Sequence, residues 1–276
     1  MNGADRDGLK ARTTYPAIMN KIVIIGAGRV AWHLGKRLKS KGLPVAQVVS
    51  RTAANAEALA TTLHARWTTD WAEVLPDADW LLLAVRDDVI EEAGRALATH
   101  APGALATHTS GATPGSVLQP YFRRFGVFYP LQSFSYERTP VWSKIPFCVD
   151  ARHDDDLLFL KKVAKTIGNL VYRVNDEQRS SLHVAAVFAN NFANHCFAVA
   201  EKLLEEKNLP FEMLHPLMEE TLSKALLDSP ANMQTGPAIR GDADTVRRHL
   251  ELLEEHPGWQ EIYTQMSRSI NPDLEI

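Results

Sequence analysis

The stretch Ile22-Val23-Ile24-Ile25-Gly26-Ala27-Gly28-Arg29-Val30-Ala31 constrains this chain more than any other. A short β-branched run ends on glycine. Apolar residues then recur at Val30, Leu34 and Leu38, the spacing of one helix face. A strand that enters a helix through a GxGxxA turn is the start of a dinucleotide-binding βαβ unit. Gly26 allows the tight turn, Gly28 lets the backbone approach a pyrophosphate, and Ala31 lets the helix pack closely on the strand. The unpaired N–H groups at the helix start suit the phosphates. Gly26, Ala27, Gly28, Arg29, Val30 and Ala31 are therefore expected to hold the diphosphate, with Arg29 able to reach a phosphate through its side chain.

The alternation continues downstream. Strands are expected at 44–49, 66–68, 80–85, 104–108 and 126–129, with helices at 53–63, 89–100 and 114–121. Two more strands, 146–149 and 170–174, flank a helix near 154–167. From 176 onward only helices are expected, at 176–206, 211–227, 243–254 and 258–268, broken by Pro210, Pro230 and Pro237. The fold class is thus α/β: a doubly wound parallel sheet of Rossmann type followed by an all-α C-terminal domain. Residues 1–18 read as a tail without apolar periodicity, 19–175 as the nucleotide domain and 176–276 as a helical domain for substrate binding. Met19 stands where translation could begin.

Composition narrows the partners. A net charge of −3 implies no general attraction to nucleic acid or to an anionic membrane. No apolar run reaches the roughly 18 residues that a membrane span needs. The two cysteines, Cys148 and Cys196, lie far apart and outside any metal-ligand spacing, which points to a cytoplasmic protein with no metal.

The second strand runs into Ser50-Arg51-Thr52. Enzymes that use NAD usually carry a carboxylate here for the ribose 2′-hydroxyl. An arginine between two hydroxyls suits a 2′-phosphate instead, so Ser50, Arg51 and Thr52 predict NADP. Two other strand ends should open on the same crevice. At one, Val85 is expected to pack on the cofactor beside Arg86, while Asp87 caps the following helix. At the other, His108 and Ser110 lie where a nicotinamide and a substrate would meet.

On the first helix of the second domain, counting 100° per residue puts His183, Asn190 and Asn194 within about 40° of one another. Asp176 and Arg179 lie near the same stripe, and Ala and Phe residues cover the other side. This is the pattern of a mostly buried helix with one polar wall. His183 is the expected proton donor or acceptor, and Asn190 and Asn194 are expected to orient the substrate. Near the C-terminus, Thr235–Asp242 (TGPAIRGD) presents Arg240 from a loop held by two glycines and a proline. Arg240 could clamp a substrate carboxylate, or the loop could be a helix corner capped by Asp242.

Taken together, the segments 22–31, Ser50-Arg51-Thr52, His108-Thr109-Ser110-Gly111-Ala112, Tyr129-Pro130-Leu131-Gln132-Ser133-Phe134, 183–192 and 235–242 resemble a group of NADP oxidoreductases. In that group a Rossmann domain precedes a helical domain similar to that of 6-phosphogluconate dehydrogenase. It is related to β-hydroxyacid dehydrogenases and pyrroline-5-carboxylate reductase. The resemblance implies NADP(H), a cleft between the domains, and a homodimer formed through the helical domain. It departs in one respect. β-Hydroxyacid dehydrogenases carry a catalytic lysine, with an asparagine four residues later, on the comparable helix. Here that helix has His183 followed by Asn190 and Asn191, with no such lysine.

The expected function is hydride transfer between NADP(H) and a carbonyl or imine carbon of a small polar substrate. His183, Asn190, Asn194, Ser110 and His108 serve the reaction, and Arg240 and Asn191 bind the substrate. The alternatives are a deazaflavin-linked NADP reductase and a non-enzymatic NADP(H) sensor.

Overall fold

The computed structural model describes residues 21–276. The tail expected at 1–18 and the possible start at Met19 lie outside the described residues. By compactness the chain divides into two units, the first ending at Ala185 and the second running from Ala186 to Ile276.

The first unit is built on β1 (Ile22–Ile25), α1 (Arg29–Ser40), β2 (Val45–Val49), α2 (Ala53–Leu63), β3 (Arg66–Thr68), β4 (Trp80–Leu83), α3 (Ile90–Ala98), β5 (Leu105–His108), β6 (Phe125–Pro130), β7 (Pro146–Ala151), α4 (Asp154–Ile167) and β8 (Leu170–Arg173). The sheet order is β3-β2-β1-β4-β5-β6-β7-β8. All neighbours are parallel except β6 and β7, which pair antiparallel. The first six strands have the order of a doubly wound nucleotide-binding sheet. The chain builds outward from β1 to β3 and then crosses to β4 on the other side of β1.

The central strands β1 and β4 are apolar throughout because both sheet faces are covered. Ile22 and Ile24 of β1 pack into the layer that holds α1, α2 and α4, while Val23 and Ile25 pack into the layer that holds α3. In α1, the buried residues Ala31, Leu34, Gly35 and Leu38 follow the expected stripe. Each fully buried Leu or Ile contributes about 1.5–3 kcal/mol relative to exposure, before chain entropy is counted. Within this core Trp80 Nε1 donates to Thr107 Oγ1 at 2.8 Å, so the buried indole N–H is paired. The 114–121 helix is a single 3-10 segment at Gly115–Leu118.

Helix α5 (Asp176–Ala186) closes the first unit. The second unit then begins with a π-helical segment, Val187–Phe192, followed by α6 (Ala193–Glu205), α7 (His215–Leu227), α8 (Ala243–Leu252) and α9 (Pro257–Ile270). It has a small core around Val246, Ala238 and Leu274. Asp242 caps α8 by accepting from the Thr245 amide at 3.1 Å, as the corner alternative expected.

Two expectations for the long helix need correction. It is not a continuous α-helix over 176–206, because the π-helical segment takes an extra residue per turn. The 100° spacing therefore does not carry unchanged from His183 to Asn190 and Asn194. Nor is the helix mostly buried in the single chain. Arg179 is the buried residue of α5, and none is buried in Val187–Phe192 or α6.

Candidate active site

The cradle at the end of β1 follows from backbone geometry. Gly26 has φ +105°, and a Cβ there would stand 2.3 Å from the Ala84 carbonyl oxygen. Any side chain would therefore be strained twice over, by its dihedral and by β4. Gly28 has an ordinary extended backbone, and a Cβ there would meet nothing within 4 Å. Its open side is the space a pyrophosphate would occupy. Helix α1 starts with no side-chain cap and no acidic residue in its first turn. Its N–H groups and positive dipole end are thus left for an anion.

A cavity of about 370 Å³ lies over this turn. It is lined by Ile25–Val30, Val49, Ser50, Arg51, Thr52, Trp71, Ala84, Val85, Arg86 and Val89. The expected cofactor residues Gly26, Ala27, Gly28, Arg29, Val30, Ser50, Arg51, Thr52, Val85 and Arg86 thus share one cavity. Ala31 lies just beneath it, fully buried against the strand. Arg51 is exposed and makes no ion pair among the described residues. A dinucleotide with a 2′-phosphate fits these groups: bare amides face the diphosphate, and an unengaged guanidinium stands where an NAD site would hold a carboxylate.

Three details were not anticipated. Arg86, which lines the cavity, pairs with Asp88 through two bonds at the exposed rim, Nε at 3.0 Å and Nη2 at 2.9 Å. Asp87 makes no side-chain cap, so the expected capping role is not observed. Trp71 contributes a flat apolar wall. Its position just beyond β3, on the edge where the parallel strands end, is the signal that could have found it.

The Arg29 guanidinium lies 5.9 Å from the Tyr136 ring centroid. The segment after β6 reaches α1 through His33, which contacts the Ser135 carbonyl at 2.8 Å and stacks on Phe134 at 5.4 Å.

The second cluster surrounds the loop after β5. His108 is fully buried, and its Nδ1 accepts from the Ser110 amide at 3.2 Å. In the neutral ring the proton therefore sits on Nε2. Burial, helped by the Arg179 charge, pushes the pKa of His108 down to about 4. Ser110 Oγ accepts from the Ala112 and Thr113 amides at 3.1 and 2.9 Å and bonds Thr113 Oγ1 at 3.0 Å. The roles expected for these two residues change accordingly. His108 Nδ1 and Ser110 Oγ are engaged within the turn, and His108 Nε2 is buried without a partner.

Behind the turn, Arg179 is 1% exposed. Its Nη2 donates to the Thr113 carbonyl at 2.5 Å and to Asp176 Oδ1 at 2.8 Å. Asp176 also accepts from the Gly115 amide at 2.9 Å. Burial works to raise the Asp176 carboxyl, but the Gly115 amide and the Arg179 guanidinium hold it below its usual value. This network ties the first turn of α5 to the β5 loop and so sets where His183, one turn further on, projects. The His183 ring faces Tyr129 of β6, with Nδ1 3.4 Å from the phenolic oxygen. Gly111 fits between them. A Cβ there would be 2.5 Å from His183 Nδ1 and 2.9 Å from Tyr129 Cζ.

The depressed His108 pKa gives a pH prediction. The folded protein holds His108 neutral while the unfolded chain protonates it near 6.5. Its contribution to stability is full above pH 6.5, falls as pH drops through the interval, and is lost by about pH 4. The difference amounts to about 3 kcal/mol. Urea unfolding across this range should show the slope in the wild-type protein and a shallower one in His108→Asn.

In the second unit, Asn190, Asn191, Asn194 and Arg240 are all exposed. Among the described residues no cluster of three or more His, Cys, Asp or Glu side chains is placed to hold a metal. Both cysteines are free, and no helix is long and apolar enough to cross a membrane.

Comparison with known proteins places the chain. The Rossmann-like domain family matches residues 7–131, and the DUF2520 family, a domain of unknown function, matches residues 145–270. No curated protein sequence matches. The crystal structure of a "putative NADP oxidoreductase" from Bacteroides fragilis is 42% identical, with a TM-score of 0.86, covering 92% of this chain and 98% of that one. An imine reductase from Myxococcus stipitatus in complex with NADP+ shares the fold at 17% identity and a TM-score of 0.64, covering 92% and 95%. A pyrroline-5-carboxylate reductase from Coxiella burnetii does so at 14% and 0.58, covering 92% and 99%. With the glycine cradle, the open anion site and the helical C-terminal unit in place, the chain belongs to the family of Rossmann-fold NADP oxidoreductases represented by the Bacteroides fragilis protein.

Proposed function

We propose that this chain reduces or forms a C=N or C=O bond in a small polar substrate with NADP(H). The observation that carries the reading is topological. The nucleotide cradle at the ends of β1 and β4 and Tyr129 near the end of β6, which meets His183, lie at the carboxyl ends of the parallel strands β1 to β6. Ligands of such sheets bind at those ends. The nicotinamide, when bound, supplies or accepts the hydride.

The chain's own residues do the rest. Gly28 and the α1 amides receive the diphosphate, and Arg51 with Ser50 and Thr52 receives the 2′-phosphate. His183 gives a proton to the substrate nitrogen or oxygen as its carbon gains hydride, and takes that proton back in the reverse direction. Histidine suits the role because its ordinary pKa lies near working pH. Asn190, Asn191, Asn194 and Arg240 remain exposed and are available to polar groups of a substrate. The missing lysine argues against simple β-hydroxyacid oxidation. The likeness in fold to imine and pyrroline-5-carboxylate reductases favours cyclic imines as the first substrates to test.

We also propose a homodimer through the helical unit and a cytoplasmic location. Leu226 and Leu227 on α7 are 78% and 85% exposed, and Leu217 and Leu222 nearby are also exposed. Large exposed apolar side chains on one helix favour burial against a second copy. A panel of small cyclic imines, ketones and hydroxy acids, followed through NADPH absorbance, tests the reading. Turnover of at least one class supports it, and NADPH binding without turnover of any class contradicts it.

A further inference from the structure

We propose that Tyr129 is a positioning residue for His183: its phenolic oxygen accepts from Nδ1–H and so makes Nε2 the atom that exchanges the substrate's proton. The proposal rests on His183 being the acid/base of the reaction proposed above.

Three observations support it. Tyr129 Oη is 3.4 Å from Nδ1, and the two rings meet edge to face with centroids 6.3 Å apart. Gly111 closes the Nδ1 side so tightly that even a methyl group would stand 2.5 Å from that nitrogen. No substrate atom can reach Nδ1 past the loop. Nε2 has no hydrogen-bond partner among the described residues and is not one of the buried polar atoms left unmet, so it keeps solvent access.

A neutral imidazole carries one proton, and the hydrogen bond made by one nitrogen decides which. With Nδ1–H held by Tyr129, Nε2 presents a lone pair when the ring is neutral and an N–H when it is charged. Those are the two states that a base and an acid require at one atom. Without the phenol, the ring is free to place its proton on Nε2, which blocks the basic state. Burial raises the Tyr129 pKa, so the phenol stays protonated and neutral near pH 7. It therefore serves as a hydrogen-bond partner and not as a competing base. The sequence segment Tyr129-Pro130-Leu131-Gln132-Ser133-Phe134 thereby acquires a use. Tyr129 meets His183, and Phe134 anchors the following loop on α1.

The test is the tautomer itself, read by long-range proton–nitrogen correlation NMR on the full chain labelled in histidine. His183 is assigned by the signal missing in His183→Gln. In the wild-type protein above the ring pKa, His183 should be predominantly Nδ1–H. In Tyr129→Phe that signature should be lost in favour of Nε2–H. A predominantly Nε2–H ring in the wild-type protein overturns the proposal, even if the variant does not fold. So does an unchanged Nδ1–H ring in a folded Tyr129→Phe. With a turned-over probe such as 1-pyrroline, Tyr129→Phe should lower kcat about tenfold or more and leave KM for NADPH within twofold. The two readings can fail separately. Full activity in His183→Ala removes the acid/base role while the tautomer result stands, and the reverse outcome removes only the role of Tyr129.

Discussion

Asp176→Ala should lower the stability of the first unit by about 3 kcal/mol or more, a large part of the 5–15 kcal/mol that holds a typical domain together. The cause is the arginine it leaves behind. Arg179 is almost wholly buried, its Nε and Nη1 have no partner, and Asp176 is its carboxylate. Without Asp176 the guanidinium keeps only the Thr113 carbonyl, and the Gly115 amide loses its acceptor. Removing one member of a buried pair costs more than the pair is worth, because an uncompensated charge stays in a poor dielectric. Asp176 itself keeps an exposed edge, which places the expectation at the lower end of the 3–5 kcal/mol range for such lesions.

The double variant Asp176→Ala with Arg179→Met should recover part of the loss, since it removes both charges. Denaturant titration of the three proteins measures this directly. A loss below about 1 kcal/mol in the single variant would mean that Arg179 finds another acceptor.

The second large effect is on turnover. His183→Ala should reduce it about 10²–10⁴-fold, the usual contribution of a positioned acid or base. That is about 3–5 kcal/mol of transition-state stabilisation. NADPH affinity should change less than twofold, because the cradle lies at β1, β2 and β4 and His183 lines no part of that cavity. Steady-state rates on the best substrate of the panel, with calorimetry for NADPH, separate the two quantities.

Much of this arrangement is legible in the chain because its signals are local. The strand–turn–helix at 22–40 and the apolar runs at 80–83 and 105–108 need only nearest-neighbour patterning, and their strands lie where the pattern put them. The Ser50-Arg51-Thr52 position follows from one strand end. What was hidden depends on contacts across the sheet. Tyr129 and His183 are 54 residues apart and meet only because β6 and α5 flank the same loop. His108 has the residue type of a catalytic base, but the fold buries it and turns Nδ1 toward its own loop. Nothing in the local sequence reports that burial. The π-helical segment at Val187–Phe192 likewise defeats arithmetic that assumes 3.6 residues per turn.

The central claim is that the cavity over Gly26–Val30 takes NADP(H) in preference to NAD(H). Isothermal titration of the purified full chain with NADPH and with NADH tests it most directly. The arginine–phosphate contact predicts NADPH binding about 10–100-fold tighter than NADH, corresponding to about 1.5–3 kcal/mol. Arg51→Asp should remove that difference and leave NADH binding no weaker. Equal affinities in the wild-type protein, or NADH binding more tightly, would contradict the account.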